Sequence, residues 1–290
     1  MLYRNKKWLH TIVRWATKAA WRHYGEDPNA HLWNIVERRP WSWIFNRIIP
    51  CNCPYILLEY PKCGMTWTRY MIYQATAIRY PEVSLADAVG EIQYRHLAVP
   101  RIRCTARFIF DRRTRKKGIL FLVRQPERVM VSNYNHTRYR LRAHEMELRE
   151  FIRSEEYGIQ AFVGFVEKNM QQLETIAHIT VRYEDLRAHT AAQLKRILEF
   201  VEMPLSDDHV ARIVANSTFE AMRKVEQERR FDVEWLDPPT SYPRAARIRS
   251  GGRERLDELF SPADLDFMRA AYAESGTFRR LGYVSGDTGG

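Results

Sequence analysis

Glu59-Tyr60-Pro61-Lys62-Cys63-Gly64-Met65-Thr66-Trp67, set between the apolar run Tyr55-Ile56-Leu57-Leu58 and the stretch Thr68-Arg69-Tyr70-Met71-Ile72-Tyr73, decides the fold. It reads as a buried strand, a tight turn and a helix. A turn that carries Lys and Gly with a hydroxyl at the helix start suits an anionic ligand. Backbone N–H groups at a helix N-terminus lack partners, and the macrodipole favours negative charge there. Gly64 lets the backbone come close and Lys62 adds a mobile charge. The pattern is not a Walker A loop, which needs Gly-x-x-x-x-Gly-Lys-Ser/Thr.

Further strands follow. Gly118-Ile119-Leu120-Phe121-Leu122-Val123 is a continuous apolar run, as a parallel strand covered on both faces requires. Pro126 then sits at a favoured first helical position. His178-Ile179-Thr180-Val181-Arg182-Tyr183 reads as another strand, and helices are predicted over 190–201 and 207–215, with Ser206 as an N-cap. Strands separated by helical stretches predict an α/β fold, three-layer α/β/α with a central parallel sheet and a P-loop-like anion-binding turn. Ligands of such sheets bind beyond the carboxyl ends of the strands, where the Lys62 turn and Arg124 both fall. Arg124 ends a strand and Ser132 lies on the next helix, so a guanidinium and a hydroxyl can converge on one phosphate.

Composition narrows the partners. The 290 residues are 45% hydrophobic and 28% charged, a globular balance large enough for one sizeable core. A formal charge of +11 asks for an anionic partner. The excess is not gathered in one block with a recognisable binding motif, which speaks against nucleic acid. The four cysteines, Cys51, Cys53, Cys63 and Cys104, form no Cys-x-x-Cys pair, so neither a zinc site nor a disulfide framework is indicated; reduced thiols and a cytoplasmic setting are expected. No run of about 20 apolar residues is present to span a bilayer. Residues 2–24 instead read as a basic amphipathic helix, with Trp8, Ile12, Trp15 and Ala19 on one face and Arg4, Lys6, Lys7, Arg14, Lys18 and Arg22 supplying charge. Such a helix lies on an anionic membrane surface or packs on the protein's own core. Residues 1–50, rich in Trp, are expected to form an N-terminal extension to a domain at 51–286.

Taken together, these motifs resemble those of sulfotransferases that use 3′-phosphoadenosine 5′-phosphosulfate (PAPS). Pro61-Lys62-Cys63-Gly64-Met65-Thr66-Trp67 is similar to the family's phosphosulfate loop, with Trp67 matching the Trp that stacks on the adenine. Arg124 and Ser132, eight residues apart, have the spacing of the family's 3′-phosphate site. Val181-Arg182-Tyr183-Glu184-Asp185-Leu186 is similar to the Tyr-Glu-Asp segment near the nucleotide, and Ser217-Thr218-Phe219 to the segment beside the adenine. Arg249-Ser250-Gly251 looks like the late Arg-Lys-Gly motif that closes over the 3′-phosphate, with Ser250 in place of Lys. The resemblance implies PAPS as co-substrate, PAP as product, no metal, and donor contacts from Lys62, Cys63, Gly64, Met65, Thr66, Trp67, Arg124, Ser132, Tyr183, Ser217, Phe219, Arg249, Ser250 and Gly251.

One expected residue is absent. Many cytosolic members carry a basic His after the strand that precedes the Arg motif; here Arg103-Cys104-Thr105-Ala106-Arg107-Phe108 places Ala106 there. Glu91 and His96 share first place as substitutes, with His136 behind them, and Lys62 is assigned to leaving-group stabilisation. The acceptor is expected to be a hydroxyl or amine on a small molecule, a lipid or a glycan. Segments 86–117 and 228–248, with Phe231, Trp235 and Tyr242, are expected to surround it. Two rival readings are a P-loop nucleotide-dependent phosphotransferase and a catalytically impaired PAP- or anion-binding relative at a membrane surface.

Overall fold

The computed structural model describes residues 54–89, 99, 102–105, 118–141, 143–228, 230–231, 233, 236 and 255–284. The extension at 1–50 with its basic segment, Glu91, His96, Ala106, Trp235, Tyr242 and Arg249–Gly251 lie outside the described residues.

Four strands form one sheet: β1 (Tyr55–Glu59), β2 (Ile102–Thr105), β3 (Gly118–Val123) and β4 (His178–Arg182). Their order is β2-β1-β3-β4, and every pairing is parallel. Leu57 faces Cys104 on one side and Leu120 on the other. All residues of β1 and β3 are buried, which explains why their sequences are unbroken apolar runs. β4 lies at an edge and is buried only at Val181 along its length.

The helices complete two further layers. After β1 come α1 (Met65–Arg79) and α2 (Leu85–Val89); after β3 come α3 (Pro126–Asn135), a π-helical turn at His136–Arg140, α4 (Leu148–Phe151) and α5 (Ile159–Leu173). After β4 run α6 (Tyr183–Ala188), α7 (Thr190–Phe200), α8 (Asp207–Ala215) and α9 (Phe219–Gln227); α10 (Leu256–Leu259), α11 (Pro262–Ala270) and α12 (Gly276–Arg280) follow. In their main contacts α1 packs with α2, α7 and α8, whereas α3 packs with α4, α5 and α11. This division is the α/β/α layering that the alternation of strands and helices predicts. Local chemistry sets the helix starts. Ser206 caps α8 by accepting from the His209 N–H at 3.4 Å, and Pro126 opens α3.

The chain leaves β1 to build β2 on one side and then returns to build β3 on the other. The carboxyl ends of β1 and β3 therefore flank the switch point of the sheet, the place where open α/β folds leave a crevice.

Phe121 on β3 is fully buried and packs near the Phe165 ring of α5. Phe121→Ala should lower unfolding free energy by about 3–5 kcal/mol in urea titrations. A loss below about 1 kcal/mol would show that the core is not organised around β3.

Candidate functional site

The turn after β1 is built from residues 60–64. Lys62 has φ 82° and Gly64 φ 120°, so left-handed residues interleave with ordinary ones. Such alternation turns backbone N–H groups toward a common side, as in anion-binding nests. Gly64 serves a second purpose. A Cβ at this position would lie 2.9 Å from Cδ2 of Tyr183, so the Tyr183 ring closes directly on the turn.

Two charged side chains grip the turn. Glu59, the last residue of β1, is only 6% exposed. Its Oε1 accepts the Lys62 N–H at 3.2 Å and its Oε2 the Met65 N–H at 2.7 Å. Met65 opens α1, which has no side-chain cap at Gly64 and no acid in its first turn, so the helix start is satisfied from six residues upstream. Burial pushes the Glu59 carboxyl up to about 7, against the opposing pull of the two amides, Lys62 and Arg124. Arg124 donates from Nη1 to the Lys62 carbonyl at 3.1 Å. The same guanidinium lies over the Tyr183 ring, 4.3 Å from its centre, and its buried Nε has no hydrogen-bond partner.

The contacts continue without a break. Trp67 meets Tyr183 edge-on at 5.9 Å, and its indole N–H donates to the Ser217 carbonyl at 2.7 Å. Gln74, two turns along α1, donates to the Ser217 hydroxyl at 2.7 Å. Ser217 is thus fastened to α1 at two points, beside Phe219 at the start of α9. Lys62, Gly64, Met65, Trp67, Arg124, Tyr183 and Ser217, drawn from four separate stretches of sequence, form one cluster. Thr66 lies within it by position, and Ser132 is half-buried on α3, the helix that Arg124 leads into. Cys63 turns its thiol into the core, where burial, reinforced by the Glu59 charge, pushes it well up; its N–H closes the turn onto the Tyr60 carbonyl.

Three residues, Glu59, Glu184 and Tyr283, have roles here that the motifs do not show. Glu59 opens the quoted stretch but ends β1 and holds the turn. Glu184 accepts the Gln125 N–H at 2.9 Å and the Tyr283 hydroxyl at 2.8 Å, fixing the corner that carries Arg124. Burial, then the neighbouring Glu184 charge, pushes the Tyr283 phenol far up, so it stays a donor. The signal for Glu59 was present, since an acid ending an otherwise apolar strand needs donors and the nearest are the turn's own amides. A cavity of about 310 Å³ opens farther along α1, lined by Tyr70, Gln74, Leu85, Asn216, Lys224 and Arg230 among others. Among the described residues no His, Cys, Asp or Glu cluster could hold a metal ion.

The sulfotransferase domain family matches residues 54–275, and the chain belongs to that family. Sulfotransferase 6B1 of Danio rerio is 27% identical over 198 residues, covering 58% of this chain and 62% of that protein. Sulfotransferase 6B1 of Homo sapiens is 26% identical over 194 residues, covering 60% and 63%. The chain thus spans about three fifths of the length of the curated relatives it matches. The fold is shared with mouse sulfotransferase SULT7A1, solved in complex with PAP, at TM-score 0.57 and 19% identity over 80% of this chain and 87% of that one. It is also shared with retinol dehydratase, solved with androsterone and the inactive cofactor PAP, at TM-score 0.57 and 16% identity over 80% and 82%.

Gly64→Ala tests the fit between the turn and Tyr183. A left-handed non-glycine residue costs on the order of 1–3 kcal/mol, and the ring must also give way. Chemical denaturation should show a loss of about 2 kcal/mol or more. A change below about 0.5 kcal/mol would mean that Tyr183 does not close on the turn.

Proposed function

We propose that this chain transfers a sulfuryl group from PAPS to a hydroxyl or amine of its acceptor, releasing PAP and the sulfated product. The observation that carries this reading is the contact between the Lys62 turn and Arg124 at the switch point of the sheet. Two cations and a set of turn amides meet there, and the buried Nε of Arg124 is a donor that an anionic oxygen would satisfy. PAPS brings on the order of four negative charges, which these groups suit. The family match favours this reading over a phosphotransferase.

In the reaction the acceptor oxygen or nitrogen forms a bond to sulfur while the bond from sulfur to the 5′-phosphate oxygen breaks, in line. The electron pair of that bond leaves with PAP. Lys62 and the amides around Gly64–Thr66 stabilise the charge that grows on the leaving phosphate, and the Thr66 hydroxyl adds a further donor. Arg124 and Ser132 hold the 3′-phosphate, over which Arg249-Ser250-Gly251 closes, and Trp67, Tyr183 and Phe219 hold the base. Cys63 and Met65 contribute through the backbone of the turn and Ser217 by anchoring α9. Glu91 or His96 removes the acceptor's proton. The acceptor is a small molecule, a lipid or a glycan, taken between segments 86–117 and 228–248.

Ligand binding and turnover test the assignment. PAP at about 100 times its Kd should add about 2.7 kcal/mol to stability. Lys62→Ala should lower turnover by more than it weakens PAP binding. Absence of any PAP-induced shift would remove the donor assignment. Equal losses of turnover and affinity would deny Lys62 a role specific to the transition state.

Residues 2–24 support a second, subordinate proposal, attachment to an anionic membrane surface. Among the described residues no helix is long and apolar enough to cross a membrane. Deleting residues 1–24 should reduce co-sedimentation with vesicles rich in acidic lipid; unchanged co-sedimentation would end the idea.

A further inference from the structure

The Met65 amide stands among those expected to face the donor, yet here it is held by a carboxylate. Glu59 reaches back from the end of β1 and takes the N–H groups of Lys62 and Met65 on its two oxygens. It sits beside both cations of the cluster, Lys62 and Arg124. A buried anion already occupies donors of the turn that should receive another.

We propose that Glu59 is a placeholder for the donor's anionic 5′ end, holding the turn in its binding shape until the donor arrives and taking up a proton when the donor binds. This rests on the reading of the Lys62 turn as the donor site. Two anions cannot share the same amides and cations in a poorly solvated pocket without one losing its charge or its place. The donor's phosphate is held by several further groups, so the carboxylate is the one to yield.

The surroundings decide how easily it does so. From the turn, Lys62 faces Glu59 and favours its charge, as does Arg124 from the end of β3. Cys63 in the turn and Cys104 on β2 are close enough to feel the Glu59 charge, and both thiols are pushed up by burial. Arg69 of α1 acts on Cys104, and Glu184 of α6 acts on Cys63. Burial outweighs the two cations and leaves the Glu59 carboxyl at about 7, so a small added negative charge suffices to protonate it near neutrality. A bound anion raises that value further. The complex therefore binds protons more tightly than the free protein, and donor affinity falls as pH rises above about 7.

The experiment is calorimetric titration of the full chain with PAP between pH 6.5 and 8.5, in paired buffers of different ionisation enthalpy, for the natural sequence and for Glu59→Gln. Gln keeps one acceptor oxygen and has no charge. Comparing the two proteins cancels the titration of PAP's own phosphates, whose second ionisation lies near pH 6. At pH 6.5 the two affinities should agree within about threefold, and at pH 8.5 Glu59→Gln should bind about tenfold or more tightly than the natural sequence. The natural sequence should take up a fraction of a proton approaching one at pH 8, and Glu59→Gln none. The uptake is read on the natural protein and so does not depend on the variant folding. PAP binding with no proton uptake overturns the placeholder while leaving the donor site intact. No PAP binding at any pH overturns the donor site itself.

Discussion

The hydrogen bonds that Glu59 and Arg124 make to one short turn are the constraint on which the site depends. A turn with a left-handed Lys62 carries a backbone cost on the order of 1–3 kcal/mol and would not hold that shape unaided. Hydrogen bonds to charged groups contribute roughly 1.5–3 kcal/mol each, and here the carboxylate accepts two and the guanidinium donates one. The two bonds of Glu59 are local, but that of Arg124 forms because β3 pairs directly with β1. With another strand between β1 and β3, Arg124 would end a strand away from the turn. Sheet topology, not local propensity, gives the turn its second handhold.

Electrostatics at this place work against the charge of Glu59 and for that of an incoming anion. A carboxylate in water would be fully ionised at neutral pH. Here two amides and two cations fail to offset the loss of solvent. The same low-dielectric surroundings strengthen every interaction that Lys62 and Arg124 make with a ligand. Arg124 is prepared for this. Its guanidinium lies over Tyr183, in a contact worth on the order of 0.5–2 kcal/mol, so less freedom remains to be lost when an anion is bound.

The sequence made the strands and the cluster legible for separate physical reasons. Tyr55–Leu58 and Gly118–Val123 are unbroken apolar runs because both faces of those strands are covered. The Lys62 turn was legible because Gly64, Lys62 and the following Thr residues each answer a local need of an anion-binding helix start. Trp67 and Ser217, 150 residues apart, entered only through family resemblance, since no local pattern predicts a bond from an indole to a distant carbonyl. Glu59 and Glu184 are visible as residues, but their roles are not. Each acts on a backbone N–H, and the amide that it holds has no sequence signature. The π-helical turn at His136–Arg140 was equally illegible, because a single inserted residue in a helix leaves the apolar spacing almost intact.

The part of the chain that contributes no site residue still sets the site's geometry. Tyr283, beyond the last helix, donates to Glu184, and Arg182 lies over its ring at 4.8 Å. Glu184 in turn holds the Gln125 amide one residue from Arg124. Farther along, Tyr272 donates to the buried Glu127 in the first turn of α3 at 2.8 Å, and Asp264 of α11 accepts from Arg153 at 2.7 Å. The C-terminal helices therefore fasten α3 at its beginning, the point where a small rotation would carry Arg124 off the Lys62 carbonyl. A guanidinium that must meet a phosphate within hydrogen-bond distance tolerates little such movement, and an error of about 1 Å is enough to lose most of a charged hydrogen bond. Residues 262–284 act on the donor site through two carboxylates, the buried Glu127 and the half-buried Glu184, and two tyrosine hydroxyls, groups whose only visible mark in the sequence is that acids and tyrosines stand among apolar neighbours.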